Sequence, residues 1–256
     1  MSAPLPRTPS FRLDGRRALV VGASSGIGFA AAVALAEAGA AVSLAARPSP
    51  RLDEAVEAIG AAGYDARALA LDITGIEGVA ETIAAEGPFD VLVNSAGLAR
   101  HAPATKTTMA DFDAAFAVNV RGAYFLARAV ARGLITAGRP GSIITISSQM
   151  AHVGGVDRAV YSATKHAVEG FTKSMAIEWG PRGIRVNTIC PTFIRTALTE
   201  QTLANPERVR WITEKIKLGR IGSVEDIMGA TVYLATDAAA MVTGTALMVD
   251  GGWTAD

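Results

Sequence analysis

The chain has a single cysteine, no excess charge of either sign and no long apolar run, and each shortage removes a class of protein. One cysteine, Cys190, excludes an intramolecular disulfide. It stands in the apolar run 186–191 with no histidine or second cysteine at metal-ligand spacing. The thiol therefore reads as a small buried apolar group, and no metal is expected. Lysine plus arginine and aspartate plus glutamate number 24 each, giving a net charge of zero. That balance gives no sign of a nucleic-acid or anionic-membrane partner. No apolar stretch is long enough to cross a bilayer, so no membrane association is expected. Residues 1–12 carry Pro4, Pro6 and Pro9. They read as a flexible N-terminal tail, not a secretory signal. A cytoplasmic protein is the resulting expectation.

What is present is core-forming material. Half of the 256 residues are hydrophobic and 19% are charged, which suits one sizeable α/β domain spanning 13–256. Short apolar runs alternate with longer Ala-rich stretches. Strands are expected at 17–21, 41–45, 66–71, 89–93, 142–146, 185–189 and 246–249. Helices are expected at 26–38, 52–59, 77–85, about 109–136 and about 160–179. Such alternation implies a doubly wound, mainly parallel seven-stranded sheet with helices on both faces. The stretch 192–219 shows no clear periodicity and reads as an irregular substrate lid.

Between the first expected strand and helix lies Gly22-Ala23-Ser24-Ser25-Gly26-Ile27-Gly28. Glycines there permit a tight turn and close backbone approach to a pyrophosphate, and the helix N-terminus presents free N–H groups to it. The second strand is followed by Arg47, where an acidic residue would instead bond a ribose hydroxyl. A guanidinium in that place suits a 2′-phosphate, so NADP(H) is favoured with NAD(H) as the alternative. The other reading of Arg47 is a solvated loop arginine.

Tyr161 and Lys165 are four residues apart and share one helical face. An ammonium there is expected to lower the phenol's pKa and make it usable as acid and base. Ser148, at the end of an expected strand, is placed to hold a substrate oxygen. A Tyr–Lys pair alone reads better as a surface pair; Ser148 upstream and the phosphate turn reverse that in favour of catalysis.

The ordered set Gly22 to Gly28, Asp72, Asn94-Ser95-Ala96-Gly97, Asn119, Ser148, Tyr161 to Lys165, Pro191 through Thr196, 242–244 and 249–252 resembles the short-chain dehydrogenase/reductase family over nearly the whole chain. The resemblance implies a Rossmann-like domain and an NAD(P)-dependent alcohol/ketone oxidoreductase. It further implies Asn119, Ser148, Tyr161 and Lys165 as catalytic, with Asn119 extending a proton relay through water and Lys165 bonding the nicotinamide ribose. Cofactor positions implied are Gly22, Ser24, Ser25, Gly26, Ile27, Gly28, Arg47, Asp72, Ile73, Asn94, Ala96, Gly97, Tyr161, Lys165, Pro191, Thr192, Ile194 and Thr196. Asp72 would contact adenine or else cap a turn, and Asn94 would bond nearby backbone. Two departures from the pattern are Val21 before the first glycine and Thr192 after Pro191, the latter adding a branched side chain near the nicotinamide. Gln149, Met150, His152 and Phe193 are expected to touch substrate, with Arg100, His101 and Arg195 also nearby. The ending 251–255 is similar to that of sugar-acid and polyol dehydrogenases, which implies a polyol, sugar or sugar-acid substrate. The alternatives are a 3-oxoacyl thioester, a steroid or other cyclic alcohol, or a noncatalytic cofactor-sensing protein. The two long helices, by the same resemblance, imply a homodimer or homotetramer.

Overall fold

A computed structural model describes residues 5–255. Seven strands, β1 (Arg17–Val21), β2 (Ala41–Ala46), β3 (Ala66–Ala70), β4 (Val91–Asn94), β5 (Gly141–Ile146), β6 (Ile184–Pro191) and β7 (Ala246–Val249), form one sheet in the order β3-β2-β1-β4-β5-β6-β7. Every pairing is parallel. Parallel neighbours need crossovers, and helices supply them. The crossovers and flanking segments contain α1 (Gly26–Glu37), α2 (Pro50–Ala61), α3 (Ile76–Glu86), α4 (Met109–Phe116), α5 (Ala123–Ala137), α6 (Ala159–Trp179), α7 (Glu200–Leu203), α8 (Pro206–Lys215) and α9 (Glu225–Ala235).

The central strands read as unbroken apolar runs because both faces are covered: Leu19, Leu92, Ile143 and Ile144 are fully buried. One hydrophobic cluster joins the sheet to α1, α2 and α9, and a second joins its other face to α3, α5 and α6. Helix α1 is almost wholly Ala, Val and Leu between Phe29 and Ala36. These small side chains let it lie close to the sheet, with α9 alongside it.

Several expectations change. Residues 192–219 are not irregular: they hold α7 and α8. Asn205 caps α8 by accepting from the Glu207 and Arg208 amides, and Pro206 occupies its first turn. One apolar position of α8, Ile212, is fully buried in a satellite cluster with Ile216 and Ile221. Helix α9 lies in a segment assigned no structure from sequence. The long helix expected at 109–136 is interrupted by a π-helical segment at residues 117–122. It ends one residue later than expected, at Ala137, where Gly138 adopts the left-handed conformation. Strand β4 starts at Val91 rather than 89, and β6 runs on to Pro191. Of the expected tail, residues 1–4 lie outside the described residues. Its last residues are tied down: the Ala238 amide donates to the Ser10 carbonyl, and Arg12 donates to the Glu37 carbonyl.

Strand order reverses at β1, which has β2 on one side and β4 on the other. The buried Asp90 carboxylate fixes the lower end of that pair. It accepts the Arg17 amide at 2.9 Å and a guanidinium N–H of Arg139. Asp90→Ala would leave a strand amide unpaired, at a cost of about 2 kcal/mol. We expect a lower midpoint in urea unfolding with an unchanged slope.

Candidate active site

At the reversal point the loops after β1 and β4 diverge and leave a cleft of about 1000 Å³ at the carboxyl ends of the strands. Its floor on one side is the turn after β1. Gly22 has φ +77°, and a Cβ on it would lie 2.7 Å from the Ala96 amide nitrogen. Any side chain at Gly28 would collide with the Gly22 carbonyl oxygen. Both positions therefore require glycine for the close approach of backbone to backbone. Ser25 stands at the N-cap of α1 with its hydroxyl not used for capping, so the first amides of α1 are open to an anion.

Gly22, Ser24, Ser25, Gly26, Ile27, Arg47, Asp72, Ile73, Ala96, Gly97, Pro191, Thr192, Ile194 and Thr196 all line the cleft, together with Ser148, Tyr161 and Lys165. Gly28 and Asn94 stand just behind its walls. Asp72 accepts from both the amide and the hydroxyl of Thr74, at 2.9 and 2.8 Å, which holds its carboxyl below the usual range. This is the turn-capping role expected for it, and the carboxylate still faces the cleft with Arg47 nearby. Asn94 accepts the Ala96 amide at 3.1 Å and so shapes the loop after β4. Its buried amide nitrogen has no partner. The hydroxyl of Thr192 is likewise buried and unpartnered at the cleft wall. An amphipathic planar ligand with amide and phosphate groups fits such a lining.

Helix α6 delivers the chemistry. Tyr161 and Lys165 lie one turn apart, with the ammonium 5.6 Å from the phenol ring centroid. Lys165 is buried and donates to the Ile146 carbonyl at 2.9 Å. Burial pushes its pKa down to about 8, against the pull of Cys190 and Glu169. Tyr161 moves opposite to the expectation: desolvation raises it above an ordinary phenol, while a hydrogen bond with Ser148 and the charge of Arg158 pull it partly back. Lys165 directs one of its N–H groups to a backbone carbonyl, and for Tyr161 burial dominates over charge.

Asn119 does not line the cleft. From the π-helical segment it reaches the loop after β4, bonding the Leu98 amide at 2.7 Å and the Leu98 carbonyl at 2.8 Å. It also donates to the Thr164 hydroxyl, which itself donates to the Tyr161 carbonyl at 2.7 Å. One buried amide thus ties the loop after β4 to the helix that carries Tyr161.

The four expected substrate residues are not brought to the cleft wall. Gln149 is 1% exposed with both amide atoms unpartnered. Met150 is buried against Gly155. His152 turns toward Cys190, and Phe193 packs on Trp253 with ring centroids 5.8 Å apart. Their short distance from Ser148 and Pro191 in sequence says nothing of side-chain direction. Arg195 is exposed and outside the lining, while Arg100 lines the cleft and pairs with Asp111 at 3.6 Å. His101 sits at the rim, its ring edge-on to Tyr161 at 5.9 Å. Desolvation, then the charge of Arg158, push its pKa down to about 4, so it is neutral at pH 7.

Sequence reasoning missed Arg158. It follows Asp157, the one non-glycine residue at positive φ (+61°) among the described residues. The half-buried guanidinium has no hydrogen bond or ion pair among the described residues, and its charge reaches Tyr161 and His101. The signal available was a lone arginine in a Gly-rich loop three residues before the tyrosine.

A parallel sheet that presents a phosphate cradle and a proton-transferring phenol to one cleft is that of a dinucleotide-dependent oxidoreductase. Comparison with known proteins agrees. A family model described as enoyl-(acyl carrier protein) reductase matches residues 22–254. Gluconate 5-dehydrogenase of Gluconobacter oxydans (strain 621H) is 40% identical over 248 residues, covering 95% of this chain and 96% of that one. D-threitol dehydrogenase of Mycolicibacterium smegmatis is 40% identical over 248 residues, 95% of each chain. The solved structure of a gluconate 5-dehydrogenase from Burkholderia cenocepacia J2315, in complex with NADP and tartrate, matches with a TM-score of 0.92 at 36% identity, covering 96% of this chain and 98% of the other. The chain belongs to the short-chain dehydrogenase/reductase family, whose members are NAD(P)-dependent enzymes acting on CH–OH groups.

Asn119→Ala should leave the Leu98 amide unpaired and slacken the join between the loop and α6. We expect about 2 kcal/mol of lost stability by chemical denaturation. Hydrogen exchange should also quicken at Leu98 specifically.

Proposed function

We propose that this enzyme interconverts a secondary alcohol and a ketone on a polyol, sugar or sugar acid, with NADP(H) as the favoured cofactor and Tyr161 as general acid and base. The observation that carries this reading is the Tyr161 phenol lining one cleft together with Ser148 and Lys165, the ammonium 5.6 Å from its ring centroid.

The bound dinucleotide supplies or accepts the hydride. Gly22, Gly26 and the opening amides of α1 would hold its pyrophosphate, with Arg47 beside the 2′-phosphate and Asp72 and Ile73 beside the adenine. Thr192, Ile194 and Thr196 would enclose the nicotinamide end. Ser148 orients the substrate oxygen, and in reduction the phenol O–H of Tyr161 gives that oxygen its proton. In oxidation the phenolate takes the proton back. Since burial keeps the phenol neutral at pH 7, reduction has its acid ready there. Oxidation draws on phenolate and should rise with pH by up to about tenfold per unit below the raised pKa.

Arg158 favours a sugar acid over a neutral polyol. Arg158 stands just outside the cleft lining, but its half-buried guanidinium has no ion pair among the described residues and its charge reaches Tyr161, so it would offer a bidentate seat for a carboxylate. The tartrate in the Burkholderia cenocepacia structure is a hydroxy-dicarboxylate of suitable chemistry. The same charge, with Arg100 and His101 at the rim, speaks against the long apolar chain of a 3-oxoacyl thioester. A noncatalytic sensor would have no use for Tyr161 and Lys165 together at the cleft.

Among the described residues no helix is long and apolar enough to cross a membrane. A cytoplasmic location is supported by the lone buried thiol. Self-association into a dimer or tetramer is supported by Phe112, Tyr124 and Ile177, exposed apolar side chains on α4, α5 and α6.

Two experiments test the reading. Tyr161→Phe should lower kcat by about 10³-fold while NADP binding, followed by fluorescence, is retained; full activity in the variant would remove the proton-transfer role. Wild type and Arg158→Leu should then be compared with NAD and NADP on sugar acids, four-carbon polyols and 3-oxoacyl thioesters. We expect KM for sugar acids to rise about tenfold or more in Arg158→Leu, with neutral polyols little changed. Equal effects on both classes would discard the carboxylate assignment.

A further inference from the structure

Folding brings together three donor groups that sequence spacing keeps far apart. His152 follows β5, Glu169 lies on α6 and Cys190 is near the end of β6. Their ligand atoms all lie within 4.8 Å of one another. Cys190 Sγ is 3.6 Å from His152 Nε2 and 3.4 Å from Glu169 Oε1. Zinc bonds of about 2.3 Å to sulfur and about 2.0–2.1 Å to nitrogen or oxygen, set tetrahedrally, place the ligand atoms roughly 3.5 Å apart. Both edges match that spacing, and the third, from His152 to Glu169, is no longer than 4.8 Å.

The surroundings fit as well. Glu169 and Cys190 are buried, and the second carboxylate oxygen accepts the Thr188 hydroxyl at 2.9 Å. That bond fixes the carboxylate's orientation, as outer partners do for metal ligands. His152 is exposed, which leaves an entry path on its side. A thiolate, an imidazole and a carboxylate together suit zinc better than calcium or magnesium, which prefer oxygen donors alone.

We propose that His152, Glu169 and Cys190 form a zinc-type divalent cation site outside the cleft lining. The ion would clamp α6 to the ends of β5 and β6. Tyr161, Lys165 and Glu169 recur every four residues along one face of α6, so the clamp would act two turns from the catalytic phenol. On binding, the Cys190 thiol gives its proton to solvent and the thiolate takes the metal; no electrons are exchanged.

Co²⁺ replaces zinc in such sites and reports its ligands optically, so the test does not depend on turnover. Metal-stripped full-length protein would be titrated with Co²⁺, then competed with Zn²⁺. We expect one equivalent to bind with a thiolate-to-cobalt charge-transfer band and tetrahedral d–d bands, both abolished by Zn²⁺. Cys190→Ser should remove the charge-transfer band. His152→Ala alters an exposed side chain, leaves the fold intact and should weaken binding by about 100-fold or more. No saturable binding at micromolar metal, or binding that both variants leave unchanged, would overturn the site and leave a thiol–carboxylate hydrogen bond in its place.

Discussion

Parallel pairing of all seven strands puts every carboxyl end on one edge of the sheet, and the remaining organisation of this enzyme depends on that constraint. Ser148 follows β5, Ala96 follows β4, Pro191 ends β6 and Gly22 follows β1, so residues scattered over more than half the chain meet at one cleft. The reversal of strand order at β1 decides where along the edge the cleft opens, because the segments leaving β1 and β4 part there. Close approach of the two turns, Gly22 against Ala96, narrows the floor to backbone alone.

Within that frame the site works by contrast between its charges. Lys165 is buried and committed to the Ile146 carbonyl, so its ammonium is less able to stabilise phenolate than its spacing from Tyr161 suggests. Arg158 is the opposite: a half-buried cation with no ion pair among the described residues, set beside the same phenol by the turn at Asp157. A positive φ at a residue other than glycine is kept where the surrounding structure enforces it, most often next to a functional group.

Much of this was legible in sequence because the relevant patterns are local. Strands β1 and β7 matched their expected limits, and the turn at Gly22 to Gly28 declared itself through glycines that only a close approach explains. Tyr161 and Lys165 were legible through helical spacing. Illegible were features set by distant partners. Helix α8 buries Ile212 in a small cluster of its own and shows too little periodicity to be seen. The directions of Gln149, His152 and Phe193 depend on α6, β6 and Trp253, which sequence order does not place beside them. The phenol's raised pKa depends on burial, which spacing from a lysine cannot report.

The π-helical segment at residues 117–122 has an evolutionary consequence. The wider π turn there sets the direction of Asn119, since each α-helical residue advances the chain by about 100° around the axis. Losing one residue there would restore ordinary geometry but swing Asn119 away from Leu98 and Thr164 while re-aiming the start of α5. The wide turn is therefore a ratchet: with the loop after β4 and the helix of Tyr161 hanging on one amide, a deletion there would dismantle both contacts.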